Sequence, residues 1–172
     1  MTVSLRSRLL VASPSLADPN FYRSVVLLLD HDDDGALGVV LNRPTEVSVG
    51  EPLPGWDLLA ADPAVVFSGG PVQPVAAVGI GVTADGVGTL DLNQDPLEAA
   101  REVDAIRVFS GYAGWSPGQL ESEIEEGSWI VVDATPDDVM CEKPQDLWEK
   151  VLERQPPPVR WLAKAPAHLS FN

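Results

Sequence analysis

Apolar residues gather in short, nearly unbroken runs along most of this chain. "LLVA" from Leu9, "VVLLL" from Val25 and "GALGVVL" from Gly35 are the clearest. A strand with one wet face alternates apolar and polar residues, whereas a strand covered on both faces reads as a continuous apolar run. These runs therefore predict central strands with material packed above and below, and a domain of more than one layer. "AVVFSGG", "AAVGIGV", "GTLDL", "AIRVFSG" and "SWIVVDA" add further strands. Asp85-Gly86 falls between two of them and reads as a hairpin turn.

Helical spacing shows in fewer places. "NQDPLEAAREVD" offers Asp95 as cap, Pro96 at the first position and Glu98 to complete a capping box. "SPGQLESEIEEG" repeats the device with Ser116, Pro117 and Gln119. Its Leu120 and Ile124 share one side, Gly127 ends it, and Glu121, Glu123, Glu125 and Glu126 make a solvated face. "PQDLWEKVLERQ" sets Leu147, Trp148, Val151 and Leu152 on one stripe, and Pro156-Pro157-Pro158 stops it. A short helix fits "GWDLLAAD". Residues 156–172 read as an arm that packs back through Trp161 and Leu162 or is partly disordered. Val66-Phe67-Ser68-Gly69 recurs as Val108-Phe109-Ser110-Gly111, each copy ending a strand.

Composition narrows the class. The 172 residues suit one domain, 1–172, and a 45% apolar content argues against disorder. Eleven Lys and Arg against 26 Asp and Glu give 11 − 26 = −15. That charge repels phosphate backbones and anionic lipid, so neither direct nucleic-acid contact nor a membrane partner is expected. A single cysteine, Cys141, permits no internal disulfide and no Cys-based zinc cage. No run is long enough for a signal peptide core or a membrane span, which reads as a cytoplasmic protein.

Candidate chemistry is sparse. Asp30, Asp32, Asp34 and Gly35 match the opening of an EF-hand calcium loop, but the twelfth position is Leu41 and the flanks are strands. A hairpin turn explains the same residues, so no metal is expected. His31 reads as a solvated turn histidine among carboxylates, and His168 as a tail residue. No nucleophile elbow, phosphate loop, dinucleotide fingerprint or HExxH is present, so no catalytic residue and no cofactor is assigned. Two glycine-rich loops remain. One offers Ser68, Gly69 and Gly70. The other, "FSGYAGWSPGQL", offers Ser110, Gly111, Tyr112 and Trp115 before a helix N-terminus. Exposed amides there suit an anion, with Tyr112 and Trp115 flanking an apolar ligand; tight backbone turns and core packing explain the same residues. Arg43 and Arg23 stand at strand ends, where each binds a carboxylate or phosphate or pairs with one of the chain's own acids.

Taken together, these stretches resemble the YqgE/AlgH family. Its "P.L.DP.F..SV" pattern appears as Pro14, Leu16, Asp18, Pro19, Phe21, Ser24 and Val25. "H..DGA.G...N.P" appears as His31, Asp34, Gly35, Ala36, Gly38, Asn42 and Pro44. "GGP" is Gly69, Gly70 and Pro71, and "GY..W..GQLE.E" runs from Gly111 to Glu123. The resemblance implies a single α/β (α+β-like) domain with a mixed, largely antiparallel, curved sheet flanked by about four helices. It implies little about activity: members are mostly uncharacterised bacterial proteins, and one branch carries the label of putative transcriptional regulator.

Three functional expectations follow. The first is a binding or regulatory module that holds a small anionic ligand, or a protein partner, at Arg43 and the two glycine loops. The second is a hydrolase using His31 and neighbouring carboxylates. The third is a partner-binding protein that uses the glutamate face of residues 117–126 or the Trp161 arm. Convergence of the three strand ends on one cavity separates the first from the others.

Overall fold

The structure is a computed structural model and describes residues 3–165. Nine strands form one sheet: β1 (Leu9–Ala12), β2 (Val25–Asp32), β3 (Gly35–Val40), β4 (Pro44–Ser48), β5 (Val65–Ser68), β6 (Val72–Thr83), β7 (Gly86–Leu90), β8 (Ala105–Trp115) and β9 (Trp129–Val132). Their order is β4-β5-β8-β3-β2-β1-β9, while β6 pairs with the opposite edge of β8 and carries β7. Among the described residues β5 and β8 are the one parallel pair. Four short helices, α1 (Pro96–Ala99), α2 (Gln119–Glu125), α3 (Pro136–Val139) and α4 (Leu147–Glu153), accompany the sheet. They are joined by 3-10 turns at Trp56–Leu58, Pro144–Asp146 and Val159–Lys164. The architecture is a single α+β domain with a mixed, open, mostly antiparallel sheet.

The unbroken apolar runs are explained by cover on both sides. Leu9, Val11, Val25, Leu27 and Val39 pack with Leu147, Trp148, Val151 and Leu152 of α4. Their neighbours Leu10, Ala12, Val26, Leu28 and Val40 point the other way, onto Leu120 of α2 and Trp129. Each such side chain stabilises the fold by about 1.5–3 kcal/mol on burial, which neither face alone would supply. Trp56, Val66, Ala99, Val103, Ile106 and Val108 fill a third cluster.

The repeated VFSG segments are partners. Val66 pairs with Val108, Phe67 with Phe109 and Ser68 with Ser110 in the parallel ladder. The two phenylalanine rings meet edge to face at 5.9 Å. The second glycine-rich segment is not a loop, however. β8 continues through Gly111 to Trp115, because its second half finds a new partner in β3, with Ala113 opposite Gly38 and Trp115 opposite Ala36. Gly111, at φ 77, is the joint between the two halves. Before it, Phe109 lies in the α4 cluster; after it, Tyr112 packs on that same cluster while Ala113 and Trp115 enter the α2 cluster. Residues 109 and 112 stand three apart and would face opposite ways in a regular strand. The glycine inverts the alternation.

Several finer expectations are corrected. β4 was unpredicted because its exposed "PTEVS" carries little apolar signal. α3 is four residues long and is marked only by the Thr135–Asp138 capping box. Asp95 caps α1 as expected. At α2 the cap is Gly118, φ 77, and not Ser116. The Gln119 side chain still reaches back to accept from the Ser116 N–H at 2.9 Å. In the arm, Leu162 and Ala163 pack inward, but Trp161 is exposed. His168 lies outside the described residues. Among those described, no helix is long and apolar enough to cross a membrane.

Candidate functional site

The Asp knot joins β2 to β3. Asp32 and Gly35 are paired residues of a hairpin, Gly35 has φ 135, and the Asp34 N–H donates to Asp32 Oδ1 at 2.8 Å. Aspartate and glycine are there for turn geometry. Among the described residues no group of three or more His, Cys, Asp or Glu is placed to hold a metal ion.

His31 corrects its expectation. It is 4% exposed, not solvated. Its Nδ1 accepts from the Leu5 N–H at 2.9 Å, and the Ser4 hydroxyl donates to its carbonyl at 3.1 Å. With Nδ1 accepting, a neutral ring carries its proton on Nε2. That atom faces Glu121 Oε2 at 3.5 Å, which is electrostatic contact rather than a well-formed hydrogen bond, so the buried N–H stays unsatisfied. The ring therefore ties the N-terminal segment, the β2–β3 hairpin and α2 together. Neither nitrogen is left to take a proton from a substrate.

The glycines of the two segments meet backbone to backbone. The Gly69 N–H donates to the Ser110 carbonyl at 2.8 Å, and the Val40 N–H donates to the Gly69 carbonyl at 2.9 Å. A Cβ on Gly69 would overlap the Gly111 carbonyl, and one on Gly70 would overlap the Tyr112 carbonyl. The Gly69 main chain thus serves the crossing of β3, β5 and β8. Tyr112 and Trp115 lie on opposite faces of the sheet and cannot flank one ligand. Trp115 is core: it packs on Phe21 and Trp129 at 6.2 and 6.0 Å between centroids. Its indole N–H donates to Glu123 Oε1 at 3.0 Å, as does that of Trp129 at 2.9 Å, and Gln119 donates to the other oxygen at 2.8 Å. Glu123, read from sequence as part of a solvated face, anchors α2 on two tryptophans.

What remains together is smaller. Arg43, Ser68 and Gly70 line one cleft of about 240 Å³ with Asn20, Val40, Pro71 and Pro74. Ser110 stands behind it, donating its hydroxyl to the Pro74 carbonyl. The Arg43 guanidinium is held by main-chain carbonyls, those of Pro19 at 3.2 Å, Asn20 at 2.5 Å and Tyr22 at 3.1 Å. Burial pushes its pKa down, and Asp18 opposes this through space. These bonds go to main-chain carbonyls, with no carboxylate of the chain among them. Arg23 is structural: it donates to the Ala165 carbonyl at 3.0 Å and lies 4.4 Å over the Trp148 ring.

Sequence reasoning passed over Arg107. It is 1% exposed, donates to the carbonyls of Val139, Cys141, Ala61 and Asp62, and stacks 4.4 Å over Phe67. Burial pushes its pKa down, against Cys141 and Asp62. The available signal was a charge inside the apolar run "AIRVF". Burial likewise pushes the Cys141 thiol up, against the nearby Arg107, which leaves it a poor nucleophile.

An AlgH-like family model matches residues 9–160. The chain belongs to the AlgH-like family. A UPF0301 protein of Streptomyces avermitilis is 49% identical over 185 residues, covering 98% of this chain and 96% of its own. That of Thermobifida fusca is 44% identical over 191 residues, covering 99% and 96%. A crystal structure of a Corynebacterium diphtheriae protein superposes with TM-score 0.89 at 33% identity, covering 96% of this chain and 94% of that one. The solution structure of the AlgH protein from Pseudomonas aeruginosa gives 0.71 at 26% identity, covering 98% and 97%. The AlgH-like match thus spans all nine strands of the sheet.

Proposed function

We propose that this AlgH-like protein is a binding module that takes a small anion in the Arg43–Ser68–Gly70 cleft and acts by recognition, not by chemistry or by direct contact with DNA. One observation carries the reading: the ends of β3 and β5 bring a half-buried guanidinium and an exposed hydroxyl to one concavity. The three carbonyls that hold Arg43 fix its position without neutralising its charge, so an arriving anion meets a preset cation. The hydrolase alternative is disfavoured because His31 is buried and its Nδ1 already accepts the Leu5 N–H.

Calorimetry and thermal denaturation against inorganic phosphate, sugar phosphates and nucleoside monophosphates test it. Saturable binding that is lost in Ser68→Trp, which fills the cleft from an exposed position, supports the module. No binding across the panel, or binding that survives both Ser68→Trp and Arg43→Ala, overturns it.

A further inference from the structure

A second surface, unrelated to the Arg43 cleft, stands at the free margin of the sheet. Among the described residues β7 pairs with β6 alone. The two-residue turn makes Thr83 and Gly86 a hydrogen-bonded pair, and Gly81–Gly88 and Gly79–Leu90 follow it in the register. Val87 and Thr89, in the intervening pairs, turn their N–H and C=O outward.

Residues 85–89 of the same hairpin line a cavity of about 350 Å³. Its other walls include Leu27 and Leu29 of β2, Ala134, Val139 and Arg6. A second hollow of about 200 Å³, bounded by Gly81 and Val103, lies against the same hairpin. A Cβ built on Gly86 or Gly88 meets nothing within 4 Å, so a neighbouring backbone can approach closely. Exposed edges are ordinarily guarded by charge or proline. β4 carries Pro44 and Glu46, but "GVGTL" of β7 carries neither kind of guard.

Charge selects the occupant. The strand is bracketed by the exposed carboxylates Asp85 and Asp91, in a chain of net charge −15. A second copy would bring the same acids to the same edge and be repelled. Arg6 near the cavity disfavours a cation at the middle of an incoming strand, where Leu27, Leu29 and Val139 offer apolar contact.

We propose that β7 is a docking edge for an extended segment of a partner protein, apolar at its centre and cationic at both ends, which adds as a further strand along residues 87–90. Main-chain bonds to Val87 and Thr89 supply affinity, the cavity takes alternate side chains, and Asp85 and Asp91 take the terminal charges.

The test uses the full chain with fluorescent heptapeptides that carry Lys at both ends and alternating Val and Thr between. Matched peptides are Glu-ended or N-methylated at alternate amides. Saturable binding by the Lys-ended peptides is expected, with slowed amide exchange at Val87 and Thr89. Thr89→Pro should weaken it by about tenfold through lost ladder bonds, and the N-methylated and Glu-ended peptides should not bind. Failure of every Lys-ended peptide to bind overturns the proposal, as does equal binding of the N-methylated set. So does protection that appears elsewhere than β7, or a β7-mediated homodimer that excludes the peptides. Because the N-methylated peptides leave the protein unaltered, a folding defect in Thr89→Pro cannot be mistaken for lost docking.

Discussion

Single residues carry more of this structure than their types suggest. Gly111 looks like one glycine among fourteen, yet its φ of 77 joins the two halves of β8 and reverses which face each later residue takes. Alanine there would place a Cβ 2.5 Å from the Gly70 carbonyl oxygen. Forcing an L-residue into that conformation costs about 1–2 kcal/mol before any clash. Gly111→Ala should therefore lose about 3 kcal/mol or more, a fall in melting temperature of roughly 6–12 °C for a chain of this size. A melting temperature within about 2 °C of wild type, at roughly 2–4 °C per kcal/mol, would mean that the joint tolerates a side chain. His31, Glu123 and Arg107 teach a related lesson. Each is polar: His31 and Arg107 bond partners far away in sequence, and Glu123 joins tryptophans of the two strands that flank its helix.

At the scale of elements, α2 is held by a polar anchor laid over an apolar one. Leu120 is buried, and the Glu123 carboxylate accepts both indole N–H groups of Trp115 and Trp129. Glu123→Ala leaves those donors without their acceptor. It should destabilise the protein by about 2 kcal/mol and change the near-ultraviolet circular dichroism of the tryptophans. Glu123→Gln keeps an acceptor and should recover part of the loss. Equal stability of all three proteins in urea would show that α2 rests on Leu120 alone. The periodicity that predicted this helix also assigned its glutamates to water, since spacing reports which side a residue takes and not what another strand brings there. β4 and α3 were illegible for a simpler reason: neither is long or apolar enough to leave a period.

The whole molecule combines an uninterrupted core with a surface of one dominant sign. With net charge −15, the compact state repels itself, and salt relieves that repulsion. Melting temperature should rise from low salt to molar sodium chloride, and the rise should saturate beyond the range where screening is complete. A decrease would show that paired charges such as Arg154–Asp138, 2.6 Å apart, outweigh the repulsion. At this scale the candidate anion cleft is a local exception, a guanidinium preset in an acidic protein, while β7 is an edge whose flanking acids follow the global sign.

By itself the sequence determined the strands of the core, the two-sided burial of the central ones, the β2–β3 and β6–β7 turns, the α4 stripe and, through its motifs, the AlgH-like fold. All of these depend on local patterning, which the chain displays directly. Only the tertiary structure decided that the VFSG segments pair, that Phe109 and Tyr112 share a face across Gly111, that His31 is buried, and that Arg43 meets Ser68 and Gly70. Each of those needs strands distant in sequence to be brought side by side, and a one-residue change of parity redirects every side chain that follows.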